Sequence, residues 1–263
     1  MNPPDMTYFA KPYATRDAVR RAAAHHAWLA QHAQPLRQPP IVTVHERRID
    51  FAFVQGRHAT VSDLPALASI LGRAHTTAWQ NDLHRAQLTT PHPLPAGSVL
   101  ADFVSPRQVA LHRHLQAGLI TPYQLVAAQR LLQADPLAPA AFYKDTNPRN
   151  VLITAEGPVM VNVDDLTLAP FGYDLAKLVV TLAMTHGPIL PGHIATALTC
   201  YNKALLDAGL TPVTAAGFLG YTDLHHILTL PYLGTGGYRH SWPGLRPSLD
   251  GLAATTPPAS PSR

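Results

Sequence analysis

Residues 142–176 hold most of the groups in this chain that could do chemistry. From Phe142 they read Phe-Tyr-Lys-Asp-Thr-Asn-Pro-Arg-Asn-Val-Leu-Ile, then a short turn, then Val-Met-Val-Asn-Val-Asp-Asp, and finally Phe-Gly-Tyr-Asp-Leu-Ala. Asp145 is a carboxylate that can accept the proton of a hydroxyl. Asn150, on the same loop, offers an amide oxygen. An apolar strand, a turn at Gly157-Pro158 and a second strand would carry Asn162, Asp164 and Asp165 back toward that loop. A proton acceptor beside a cluster of hard oxygen ligands suits transfer of a phosphoryl group, with magnesium bridging the nucleotide phosphates and the carboxylate receiving the acceptor hydroxyl. Asp-x4-Asn alone means little. Followed by strand, turn, strand and clustered acids, it is a specific signal.

The surrounding sequence supplies elements able to position these groups. Thr7–Lys11 reads as a short strand, and the alanine- and arginine-rich stretch from Thr15 to about His32 as a helix ended before Pro39-Pro40. Ile41–Val44 and Ile49–Val54 read as a strand pair closed at Gly56. Ser62-Asp63 can cap a helix running to Trp79, and residues 80–104 are proline-rich and read as irregular. Two helices follow at about 106–117 and 122–134, the second opened by Thr121-Pro122. After a hairpin at about 151–163 come apolar helices at about 173–185, 191–209 and 213–230. The sequence shows no internal repeat. The expected organisation is a reduced strand-and-helix lobe over 1–56, a mainly helical lobe over 57–250 and a disordered tail over 251–263.

Residues 142–176 resemble the small-molecule branch of the protein-kinase-like superfamily: aminoglycoside phosphotransferases, choline kinases and methylthioribose kinases. The resemblance is specific over those residues and looser over 7–79. It implies an α+β, two-lobed fold with ATP in the cleft, Mg2+ beside it and a small-molecule hydroxyl as acceptor. By this resemblance Asp145 is the catalytic base, Asn150 a magnesium ligand, and Asp174 a brace that holds the catalytic loop by hydrogen bonds. Tyr143 stands where these families usually keep a histidine. Counting back from Asp174 places Asn162 and Asp164 on the two acids of the family's metal motif, whereas counting forward from the Gly157 turn favours Asp164 as principal ligand.

Lys11 reads either as the lysine that holds the α- and β-phosphates or as a surface lysine at a strand end. Val54 and Gln55 read either as the inter-lobe segment that hydrogen-bonds adenine or as an ordinary strand end before a turn glycine. Lys144 and Arg149 either touch phosphate or solvate their loop. His75 reads as packed or capping. Two family features are missing: a Gly-rich loop ahead of Thr7, and a partner glutamate in the next helix, since Glu occurs only at 46 and 156. The resemblance suggests an amino sugar or aminoglycoside as acceptor. The alternative reading is a pseudokinase-like protein that binds a ligand or partner with weak or no catalysis.

Composition narrows the remaining classes. In 263 residues, 46% hydrophobic content with 14% charge describes a chain able to bury a core. A single cysteine, Cys200, excludes an intramolecular disulfide and favours a reducing, cytoplasmic setting. The N-terminus lacks a basic-then-apolar signal pattern, and the apolar run near 178–184 is too short to cross a bilayer, so no membrane partner is expected. The formal charge of +4 comes with scattered arginines and no interleaved aromatics, so no nucleic acid is expected either. The histidine pairs 25–26, 112/114 and 225–226 lack zinc-ligand spacing.

Overall fold

The computed structural model describes residues 7–133, 138–162, 164–235 and 237–253. Strand β1 (Tyr8–Pro12), helix α1 (Arg16–His32), β2 (Ile41–Val44) and β3 (Arg48–Ala52) come first. The three strands form one antiparallel sheet in the order β1-β3-β2, with Lys11 opposite Ile49. Helix α1 begins where the Thr15 side chain accepts from the Ala18 amide at 3.1 Å, satisfying one of the helix's free N–H groups. It packs Val19 and Ala22 against Ile49 of the sheet, while Trp28 and Leu29 reach into the main core. One helix therefore fastens the small sheet to everything after it.

The chain leaves that sheet through Phe53–Gly56 and enters β4 (Arg57–His58), which pairs with a strand about a hundred residues later in sequence. Gly56 is required there. A Cβ would lie 2.9 Å from the Ile153 carbonyl oxygen. Helix α2 (Leu64–Asn81), the two-residue strands β5 (His92–Pro93) and β6 (Val99–Leu100), α3 (Val104–Gln116) and α4 (Pro122–Leu132) follow. Thr121 caps α4 reciprocally with Gln124, as a capping box. The stretch expected to be irregular, 80–104, thus contains the small β5–β6 ladder.

Next come β7 (Ala140–Tyr143), the hairpin β8 (Val151–Thr154) and β9 (Gly157–Met160), and β10 (Thr167–Pro170), which pairs with β7. Sheet order β4-β8-β9 joins the hairpin to the inter-sheet segment. Helices α5 (Tyr173–His186), α6 (Pro191–Asp207), α7 (Ala215–Thr229) and α8 (Leu249–Ala253) complete the fold. α8 runs across the 250/251 boundary expected from sequence. Leu252 is buried in the main core, so residues 251–253 belong to the helical region; 254–263 lie outside the described residues. No helix among the described residues is long and apolar enough to cross a membrane.

His75 illustrates how polar groups are handled in this core. It is fully buried on α2, and its Nδ1 lies 2.7 Å from the Tyr201 hydroxyl. The Gly172 amide donates to that same hydroxyl at 2.9 Å. Burial pushes the His75 pKa down to about 3. Between about 6.5 and 3 the unfolded chain binds a proton here that the folded chain refuses, so stability falls as pH falls through that window. The expected contribution is up to about 5 kcal/mol. Urea unfolding from pH 7 to pH 4 should show a shallower loss of stability in His75→Gln than in the parent; equal slopes exclude His75 as the source.

Candidate functional site

The loop between β7 and β8, residues 144–150, is anchored from below by the start of α5. Asp174, fully buried in the first turn of α5, accepts from the Thr146 hydroxyl at 2.6 Å, the Thr146 amide at 3.3 Å and the Lys144 amide at 3.4 Å. Burial raises its pKa against the opposing pull of Thr146 and Lys144. Lys144 is itself buried, and its Nζ donates to the Val161 carbonyl at 2.7 Å. Desolvation lowers it to about 8. The sequence left Lys144 as a phosphate contact or a solvated loop residue. It is neither: it ties the loop to the end of β9.

With the loop fixed, Asp145 stands at φ 69° and Asn162 at φ 62°, the non-glycine residues in the left-handed region among the described residues. Such backbone costs about 1–3 kcal/mol per residue and gathers at functional sites. The Asn150 amide donates to the Asp145 carboxylate at 3.2 Å and to its carbonyl at 3.0 Å. Lys177 of α5, almost fully buried, forms an ion pair with Oδ1, and the Tyr143 hydroxyl donates to the same atom at 3.4 Å. Burial alone would raise the Asp145 pKa; Lys177 and then Lys144 reverse this, so the carboxyl is held below its usual range and ionised. Burial alone would lower the Lys177 pKa; the Asp145 carboxylate it pairs with pushes it up instead.

A second group of oxygens gathers where β9 ends. Lys11 donates to Asn162 Oδ1 at 2.5 Å and forms an ion pair with Asp164. The Tyr13 hydroxyl donates to Asp164 Oδ1 at 3.0 Å. His25 of α1 lies beneath, its Nδ1 2.6 Å from the Asp164 carbonyl and its Nε2 donating to the Val99 carbonyl at 3.0 Å. The Val161 amide donates to the Asn150 carbonyl at 2.9 Å, which brings the two loops side by side. Asp165 faces outward toward Arg21 at 3.3 Å. A positive charge already rests on the Asn162 and Asp164 oxygens in the form of the Lys11 ammonium, and the Asn150 amide oxygen stays without a hydrogen bond among the described residues. The structure thus brings Asn162 and Asp164 together at Lys11 and sets the Asn150 loop beside them; oxygen donors of this kind suit a hard divalent cation, although no group of three or more His, Cys, Asp or Glu gathers among the described residues.

Two cavities open beside these groups. The first, about 410 Å³, has Lys11, Asn162 and Asp164 at one end and Phe9, His26, Phe51, Phe53, Val54 and Leu152 along its walls. The second, about 540 Å³, is lined by Asp145, Tyr143, Lys177, Asn147, Tyr173 and Tyr238 among others. Arg149 lines both. Val54 therefore reaches the first cavity with Lys11. Gln55 does not: it lines a neighbouring hollow with Arg37 and Glu156. The sequence assigns no role at the site to Lys177, His25 or His26, the two histidines being read there only as lacking zinc-ligand spacing. For Lys177 a signal existed, since it is one of four lysines in the chain and stands directly before the apolar run at 178–184.

Solved structures of small-molecule kinases have this fold. The macrolide 2′-phosphotransferase MphH from Brachybacterium faecium matches with a TM-score of 0.57 and 16% identity, over 96% of this chain and 85% of that one. The amicoumacin kinase hAmiN, solved with AMP-PNP, Ca2+ and Ami, matches with a TM-score of 0.57 and 15% identity, over 94% and 79%. An aminoglycoside-3′-phosphotransferase of type VIII gives 0.56 and 20%, over 84% of each chain. No protein-family model matches the sequence, and no curated protein is significantly similar to it. At these identities the shared property is the fold.

Proposed function

We propose that this chain, which has the two-lobed protein-kinase-like fold of small-molecule phosphotransferases, moves the γ-phosphoryl group of ATP to a hydroxyl of a small molecule. The observation that carries the reading is the meeting of the two cavities at one loop. Asp145 lines one, Lys11 with Asn162 and Asp164 ends the other, and Arg149 lines both. Phe9 and Phe53, each 57% exposed on the walls of the first cavity, offer an apolar slot to a flat base. Its charged end would meet the phosphates. Asn150, Asn162 and Asp164 would hold Mg2+, which supplies charge neutralisation on the phosphates. A cytoplasmic setting, where ATP is plentiful, belongs to the same reading.

Asp145 would orient the attacking hydroxyl and take its proton. Held below the usual carboxylate range, it is a weak base, and a loose phosphoryl-transfer transition state asks little more of it than position. Asn150 and Lys177 fix that position from two sides. The test is direct: calorimetry of ATP binding with and without Mg2+, then transfer from labelled ATP to a panel of polyols. Magnesium-dependent nucleotide binding followed by transfer is the expected result. Absence of any magnesium response removes the enzyme reading.

One observation favours the second reading, a pseudokinase-like binder of a ligand or partner. Lys11 is paired with the carboxylate that the metal needs, and Asn162 brings no charge of its own. The acceptor class also needs care. An amino sugar or aminoglycoside, which the resemblance suggests, would enter a cavity lined by Arg107, Arg149 and Lys177 against two carboxylates, a balance that disfavours a polycation.

A further inference from the structure

Arg107 on α3 is 7% exposed, and among the described residues no carboxylate pairs with it. Its guanidinium sits among Phe103, Tyr173 and Tyr143, with ring centroids at 4.2, 4.8 and 5.1 Å. Three of its donors are in use: Nη1 to the Phe103 carbonyl at 2.8 Å, Nε to the Tyr173 hydroxyl at 3.3 Å and Nη2 to the Thr167 hydroxyl at 3.3 Å. A guanidinium has five N–H donors, so two are left over. Stacking on aromatic faces offsets only part of the cost of burying a cation.

A second unsatisfied donor stands nearby. The Tyr173 hydroxyl accepts from Arg107 Nε and lies 3.4 Å from Nδ1 of His225 on α7. Burial first, then Lys177 and Arg107, push the His225 pKa well down, so the ring is neutral. In the tautomer whose Nδ1 accepts from the Tyr173 hydroxyl, the ring hydrogen is on Nε2, which is buried and has no hydrogen-bond partner among the described residues. Both residues line the cavity that holds Asp145. The other charges in that cavity are spoken for or exposed: Asp145 is paired with Lys177, Asp165 is 80% exposed beside Arg21, and Arg149 is exposed with its Nε on Asn147 Oδ1 at 3.4 Å.

We propose that the acceptor carries an anionic group, carboxylate or phosphate, bound by Arg107 and by the Nε2–H of His225, with its reacting hydroxyl toward Asp145. The proposal rests on the phosphotransferase reading for the hydroxyl but not for the anion. Tyr143 relates the two ends, since Arg107 stacks on its ring and its hydroxyl donates to Asp145.

Matched probes test it: glycerol, glycerate and glycerol 3-phosphate, and glucose, glucosamine, gluconate and glucose 6-phosphate. Affinity is read by calorimetry with Mg2+ and AMP-PNP present, and transfer is read separately with labelled ATP. An anionic member should bind roughly tenfold or more tightly than its neutral and cationic counterparts, as charge-assisted hydrogen bonds in a buried site allow. Carboxylates against phosphates identify which anion fits. Arg107→Gln should erase the preference, while Arg107→Lys should raise KM with kcat held; circular dichroism checks that each is folded. Preference for glucosamine or a neutral member, no binding of any anionic probe, or an undiminished preference in folded Arg107→Gln overturns the proposal. Anion-selective binding without transfer keeps the anion site and removes the phosphotransferase; transfer to a neutral or cationic probe first does the reverse.

Discussion

Asp145→Asn is expected to lower the proposed phosphoryl transfer by about a hundredfold or more, the usual cost of losing a positioned proton acceptor. Nucleotide binding should stay in place, because Asp145 lines the second cavity and not the first, where the nucleotide is proposed to lie. The change also reaches the fold. Lys177 is buried, and its ammonium faces the Asp145 carboxylate and the Tyr143 ring at 5.7 Å. Removing one partner of a fully buried pair costs about 3–5 kcal/mol. The Asp145 side chain is 42% exposed, so water screens the pair and the loss is nearer 1–2 kcal/mol.

The double variant Asp145→Asn/Lys177→Met separates the two effects. It should recover the stability, since no buried charge is left alone, while transfer stays down. Urea unfolding reports the first quantity, and single-turnover transfer from labelled ATP the second. Wild-type turnover in Asp145→Asn would show that another group receives the proton. Failure of Lys177→Met to restore stability would show that the ion pair is not what the single variant loses.

How far the sequence could be read follows from the range over which each feature is encoded. Helices α1 and α5 and the β8–β9 hairpin were legible because capping residues, periodicity and a Gly-Pro turn sit within the elements themselves. β4, β5 and β6 were not, since two residues carry no period. The loop of Asp145 and Asn150 was legible because its spacing is followed by strand, turn, strand and clustered acids. Its supports were not. Lys177 looked like the flank of an apolar run because its partner lies 32 positions earlier. Lys144 looked like a loop residue until the β9 end folded over it. Arg107 and His225 come together only when α3, α5 and α7 pack around Tyr173, a tertiary fact with no local signature. Gln55 shows the converse: a plausible position in the sequence, one residue past the cavity wall.

The metal site gives the other large expected effect, and here family pattern and chain disagree in a measurable way. Asp164 is the only carboxylate among Asn150, Asn162 and Asp164, and it is paired with Lys11. Asp164→Asn should abolish magnesium-dependent nucleotide binding, because no formal negative charge remains among the three donors. Asn162→Asp should tighten magnesium by about tenfold or more, since ligand charge governs affinity for hard cations. The left-handed backbone at residue 162 is no obstacle, because aspartate tolerates that conformation nearly as well as asparagine. Lys11→Met should split the two ligands, tightening magnesium measured alone by releasing Asp164 while weakening ATP by removing the cation at the phosphate end. Calorimetry of Mg2+ and of ATP on the parent and these three variants decides it. If the parent shows no magnesium response and Asn162→Asp acquires one, catalysis has been lost at residue 162 and the chain is a binder. If Asn162→Asp changes nothing while Asp164→Asn still abolishes binding, Asn162 is not a ligand and Asp164 carries the metal with Asn150 alone.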